Sequence, residues 1–176
     1  MSRRPRFATV WLDGCSGCHM SFLDLDERLL EIAEHADLVY SPLVDVKEYP
    51  DGVDVCLVEG AVSTTDDLEK IRTVRARTKT LVSFGDCAVT ANVPSLRNPI
   101  GAQPLLERAY VENVDINPGI PRRVVPMLLL ASVGVHKAVP VDVFLPGCPP
   151  SADVIYETLL RLLGVATPPE RPLRFG

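Results

Sequence analysis

Short apolar runs rich in β-branched residues alternate along this chain with segments of helical periodicity, and this alternation restricts the fold more than any other feature. Runs at 7–12, 38–41, 53–58, 80–84 and 141–145 read as buried strands. After the first, Phe22, Leu25, Leu29, Ile32, Ala33 and Ala36 share one helical face, while Asp24, Asp26, Glu27, Glu31 and Glu34 lie mostly opposite. A second helix starts near Thr64 or Thr65 as N-cap, with Asp66 and Asp67 in its first turn. It turns Leu68, Ile71 and Val74 inward and ends among Arg75, Arg77 and Lys79, where the helix dipole favours cations. A last helix starts at Ser151, buries Val154, Ile155, Leu159, Leu162 and Leu163, and stops at Gly164.

Strand–helix alternation implies an α/β domain with a mostly parallel sheet. The expected architecture is a flavodoxin-like three-layer fold with strand order 2-1-3-4-5. Residues 90–140 interrupt the pattern and hold seven of the 16 prolines: Pro94, Pro99, Pro104, Pro118, Pro121, Pro126 and Pro140. A structureless loop of that length does not suit a compact domain. Short helices are therefore expected near 103–110 and 127–132, in a proline-rich insertion before the last strand. One domain should cover residues 1–176, with 167–176 as an extended tail, either strapped to a partner or frayed.

The net charge of −5 gives the chain no general attraction to nucleic acid or to an anionic membrane. The longest nearly apolar run, 124–135, is too short to span a bilayer. Ser2-Arg3-Arg4-Pro5-Arg6-Phe7 resembles a twin-arginine export signal but lacks the apolar region and cleavage site that should follow. A cytoplasmic location is expected, where thiols stay reduced and serve metal or redox chemistry rather than structural disulfides.

Four of the five cysteines then fall into place. Gly14-Cys15-Ser16-Gly17-Cys18 follows the first strand, Gly85-Asp86-Cys87 the fourth, and Pro146-Gly147-Cys148-Pro149-Pro150 the fifth. In a parallel sheet these positions share the edge outside the carboxyl ends of the strands, where such sheets bind ligands. Gly14, Gly17 and Gly147 would shape loops wrapping a bulky group. Cys56, inside the third strand, reads as a small core hydrophobe. Four thiols from three loops favour a [4Fe–4S] cluster. A Cys-x-x-Cys dithiol site would leave Cys87 and Cys148 unexplained, and structural zinc usually uses two close ligand pairs; both stay open on spacing alone.

The segment from Trp11 to Asp24, with its Cys15-Ser16-Gly17-Cys18-His19-Met20 centre, resembles the opening of the small subunits of [NiFe] hydrogenases. Val58-Glu59-Gly60-Ala61-Val62, Phe84-Gly85-Asp86-Cys87-Ala88 and Pro146-Gly147-Cys148-Pro149-Pro150 match that family's later motifs in order and spacing. The resemblance spans about residues 7 to 165. It implies that Cys15, Cys18, Cys87 and Cys148 hold one proximal [4Fe–4S] cluster, beside a Ni–Fe centre on a separate large subunit. Glu59 would stand near the cluster and that interface. Larger small subunits carry two further clusters, for which no cysteines remain here. The pattern looks most like the small subunit of the bidirectional NAD-reducing hydrogenase, whose diaphorase partners carry flavin, NAD and further Fe–S clusters. Complex I-like relatives usually have adjacent cysteines where this chain has Cys15-x-x-Cys18.

Flavin is not expected in this chain, because the loop that cradles its phosphate in flavodoxins is here the cysteine loop Gly14 to Cys18. The cluster edge should be a broad apolar contact of more than about 2,000 Å², built from the helix after Cys18 and from the insertion. His19 could tune the cluster or merely open a helix. Asp86 could cap a helix N-terminus, Trp11 should pack at a strand end, and His35 and His136 lack metal-like spacing.

Overall fold

The computed structural model describes residues 3–165; the expected tail at 167–176 lies outside them. Five parallel strands form one sheet: β1 (Arg6–Trp11), β2 (Asp37–Tyr40), β3 (Val53–Glu59), β5 (Thr78–Phe84) and β7 (Val143–Leu145), in the order β2-β1-β3-β5-β7. Counting only these five, the order is the expected 2-1-3-4-5, and the fold is the flavodoxin-like α/β arrangement. Helices α1 (Gly17–Leu23), α2 (Arg28–His35) and α6 (Ala152–Leu162) cover one face, and α3 (Thr65–Arg77) and α4 (Asp86–Thr90) the other.

The alternation of β3 accounts for the two layers of core. Val55 and Leu57 pack with Phe7, Phe22, Leu25, Val82, Ile155 and Leu159, while Cys56 and Val58 pack with Ala8, Val10, Ile71, Val74 and Leu81 on the opposite face. Register aligns the carboxyl ends: Trp11 pairs with Glu59, Glu59 with Phe84, and Phe84 with Leu145. The loops that follow β1, β3, β5 and β7 therefore leave the sheet side by side.

The expected caps are present. Thr64 accepts the Asp67 backbone N–H at 3.1 Å while the Asp67 carboxylate accepts the Thr64 N–H at 2.9 Å, a reciprocal capping box. Ser151 accepts from Val154 N–H, and Gly164 sits at φ 74 just past α6.

Two expectations fail. The amphipathic run from Phe22 to Ala36 is two helices, because Asp26 adopts φ 50 and the intervening turn lets Leu25 enter the core at 1% exposure. The second helix expected in the insertion is instead strand β6 (Leu128–Val133), antiparallel to an unanticipated strand β4 (Val62–Thr64). Val62 and Thr64 favour extended backbone, and the buried Ser63 and Ser132 hydroxyls hydrogen-bond across the pair at 2.8 Å. Helix α5 (Ala102–Glu107), continued by a wider turn over Arg108–Glu112, matches the other expected helix. Among the described residues, no helix is long and apolar enough to cross a membrane.

Candidate metal centre

The first loop is fixed by backbone contact with the loop after β3. Asp13 and Ala61 exchange N–H···O bonds of 3.1 and 2.7 Å. A Cβ on Gly60 would lie 2.8 Å from the Leu12 carbonyl carbon, and one on Gly14 only 3.3 Å from Gly60 Cα. This close approach delivers Cys15 to the surface and Cys18 to the first turn of α1, where it is buried. The Gly17 N–H donates to Cys15 Sγ at 3.4 Å.

Glu59, the last residue of β3 and 2% exposed, reaches under this turn. Its carboxylate accepts the backbone N–H of Cys18 at 3.2 Å and of His19 at 3.0 Å, and also contacts His19 Nδ1. The start of a helix leaves such donors unpaired and attracts negative charge; here an internal carboxylate supplies both needs. His19 is 4% exposed, its ring edge-on to Phe84, and its Nε2 has no hydrogen-bond partner. Sequence reasoning singled out both residues but not their pairing, which spans 40 positions.

The other two loops are tied to each other. Gly85 N–H donates to Leu145 O, Asp86 N–H to Gly147 O and Gly147 N–H to Asp86 Oδ1, each at 2.8 Å. Asp86 is thus a clamp between loops. Gly85, at φ 82, leaves the space in which the Cys18 sulfur sits, since a Cβ there would be 2.1 Å from it. Cys87 follows in the first turn of α4, and Cys148 follows Gly147, whose Cβ would collide with Pro150 N at 2.6 Å. The Ser21 hydroxyl ties α1 to this loop through Pro150 O at 2.6 Å. Asn92, which sequence reasoning missed, donates its side-chain N–H to Cys148 Sγ at 3.5 Å.

The four thiols lie within electrostatic reach of one another. Burial first, and then charge on Glu59, Cys87, Cys15 and Cys148, together push the Cys18 thiol up to about 12. Burial also raises Cys87, with Cys15, Cys148 and Glu59 adding to the effect against a backbone hydrogen bond from Val93. Four thiolates cannot share this edge without compensating positive charge, and a bound metal centre deprotonates thiols by supplying it. No three His, Cys, Asp or Glu side chains among the described residues stand close enough to cage a single ion. Cys56 is fully buried in β3, where burial raises its thiol to about 12, and it takes no part in the cluster of loops.

Several large apolar side chains on these loops and helices are exposed: Trp11, expected to pack, at 44%, and Met20, Leu23, Val93 and Leu96. His35 is exposed on α2, and His136 stacks edge-on against Phe144.

Residues 15–162 match the family model described as NADH ubiquinone oxidoreductase, 20 Kd subunit. The chain is 38% identical over 159 residues to the NAD-reducing hydrogenase HoxS subunit delta of Cupriavidus necator, covering 88% of this chain and 76% of that protein. It is 37% identical over 170 residues to a subunit of the F420-non-reducing hydrogenase of Methanothermobacter marburgensis, covering 93% of this chain but only 54% of the relative. Thus it spans about half the length of the relatives of that kind. A crystal structure of an NAD+-reducing [NiFe]-hydrogenase in the H2-reduced state contains a chain that superposes with a TM-score of 0.89 at 38% identity, covering 99% of this chain and all of that one. A [NiFeSe]-hydrogenase chain from Dm. baculatum shares the fold, with a TM-score of 0.59 at 20% identity, covering 90% of this chain and 62% of that one.

Proposed function

The chain belongs to the NADH ubiquinone oxidoreductase 20 Kd subunit family, and from that membership we propose that it is the electron-transferring small subunit of an NAD-reducing [NiFe] hydrogenase. Cys15, Cys18, Cys87 and Cys148 hold a single [4Fe–4S] cluster, in one domain covering residues 1–176. The observation that carries this reading is the convergence of four thiols, from three mutually tied loops, at the carboxyl ends of β1, β5 and β7. The match to HoxS subunit delta and the Cys15-x-x-Cys18 spacing favour a hydrogenase over a quinone-reducing relative.

A bound cluster supplies one-electron transfer at this edge. The chain's own residues hold it there. The buried Cys18 closes the inner side against water. Gly85 and Gly147 keep the backbone of two loops clear of the sulfurs, and Glu59 fixes the turn that carries Cys18. The hydride chemistry belongs to a Ni–Fe site on a large subunit, which covers the exposed apolar residues Trp11, Met20 and Leu96. Diaphorase partners with Fe–S clusters, flavin and the NAD site receive the electrons. This chain carries no flavin, and the assembly works in the cytoplasm.

Anaerobic purification with the co-purifying chains, followed by iron and sulfide analysis, tests the reading. Hydrogen-driven NAD reduction is expected, and, because the partners bring iron of their own, about four irons and four sulfides more per copy of this chain in the wild-type assembly than in one carrying Cys87→Ala, as a cubane cluster requires. A colourless, iron-free protein that reduces insulin disulfides, or one holding a single zinc, would overturn it.

A further inference from the structure

The segment leaving α4 is bent in a way that ordinary residues resist. Ala91 has φ 67 and Asn92 φ 22, two consecutive non-glycine residues at positive φ. Such backbone carries a steric cost and persists only where its surroundings impose it. Here they do. Ala91, 1% exposed, donates its N–H to Cys87 O at 2.9 Å. Ser95 closes on Asn92 O with both its N–H, at 3.2 Å, and its hydroxyl, at 2.7 Å. The bend turns the Asn92 side chain back toward the cysteine loops, Nδ2 standing 3.5 Å from Cys148 Sγ. Among the described residues this is the one side-chain N–H given to any of the four thiols; the other donors, Gly17 N–H to Cys15 Sγ and Val93 to Cys87, are backbone.

We propose that Asn92 is a positioning residue that raises the reduction potential of the cysteine-held centre by donating its side-chain N–H to the Cys148 sulfur. The inference rests on the four-cysteine cluster reading. A thiolate accepts hydrogen bonds and cannot donate them, so the amide presents nitrogen rather than oxygen to it. Reduction adds one electron and no proton, which makes the ligand sulfurs more negative. The N–H dipole therefore stabilises the reduced form more than the oxidised form. The amide is uncharged, so it does this without altering the net charge of the site.

The test uses protein purified anaerobically with its co-purifying chains, as wild type, Asn92→Gly and Asn92→Asp. Glycine accepts the positive φ and removes the donor. Aspartate keeps the size, removes the donor and adds negative charge. Iron and sulfide are measured first. The midpoint is then measured by dithionite potentiometry followed by electron paramagnetic resonance. Expected are wild-type iron content in both variants, a lower midpoint in Asn92→Gly and a still lower one in Asn92→Asp. Full iron with an unchanged midpoint in Asn92→Gly overturns the inference and leaves the cluster reading standing, whatever Asn92→Asp does. Loss of the cluster in both variants makes Asn92 a structural residue and also overturns it. A wild type without iron and sulfide overturns both.

Discussion

Gly85 and the Cys18 thiol share one small volume: a Cβ added to Gly85 would stand 2.1 Å from the Cys18 sulfur. Gly85 also sits at φ 82 and ψ 164, a region nearly confined to glycine, where an alanine is strained by roughly 1–3 kcal/mol. Gly85→Ala should therefore lower stability by at least about 1 kcal/mol and displace Cys18. Denaturant unfolding reads the first effect and iron retention the second. A variant with wild-type values of both would show that the two loops are not packed as described.

Glu59 should prove important for stability although it lies among candidate ligands. Glu59→Ala leaves the N–H groups of Cys18 and His19 without their acceptor in a buried place. Each unsatisfied donor costs about 1–3 kcal/mol. Glu59→Gln keeps an acceptor oxygen and should lose less. Urea midpoints in the order wild type, Gln, Ala are expected; equal midpoints for the two variants would contradict the hydrogen-bond assignment.

The cysteines divide into two kinds, and paired variants separate them. Cys87→Ala should leave an incomplete or labile cluster and stop hydrogen-driven NAD reduction. Cys56→Ala, fully buried in β3 away from the loops, should keep its iron and lose only packing, about 1 kcal/mol for the small volume removed. Normal turnover with intact iron in Cys87→Ala would be decisive against the ligand assignment.

Asp142 links α3 to the edge of the sheet. Burial disfavours its charge, but the Leu81 N–H at 2.7 Å and Arg75 at 2.5 Å outweigh that and hold the carboxyl below its usual range. A depressed folded pKa contributes stability above the unfolded value of about 3.9 and loses it as pH falls through the folded value. Asp142→Asn should be less stable than wild type at neutral pH, by under about 1 kcal/mol because the carboxylate is half-exposed and screened. The gap should close as both proteins are brought to about pH 2–3. Urea unfolding at the two pH values measures it, and a gap independent of pH would remove the carboxylate from the account.

The parallel sheet was legible because each of its strands falls in a short apolar run with β-branched or aromatic residues, and the cysteine loops were legible because each begins where a run ends. What escaped is non-local. Strands β4 and β6 pair across more than sixty positions, and the run that forms β6 carries leucines that read equally as helix or strand. The break between α1 and α2 leaves the apolar phase of the sequence uninterrupted; only the backbone at Asp26 marks it. Asn92 looks like an ordinary loop residue until the fold brings it to Cys148, 56 positions away. Trp11 ends β1 at 44% exposure although its register partner Glu59 is buried, a difference no local pattern announces.

Most of the ties that hold the three cysteine loops use no sulfur atom: Asp13 with Ala61 of the loop after β3, Gly85 with Leu145, Asp86 with Gly147 and Ser21 with Pro150, beside the one bond from Asn92 to Cys148 Sγ. Folding should consequently depend little on what the thiols hold: chelator treatment is expected to leave the far-ultraviolet circular dichroism of the chain nearly unchanged, unlike that of small domains that fold only around their metal.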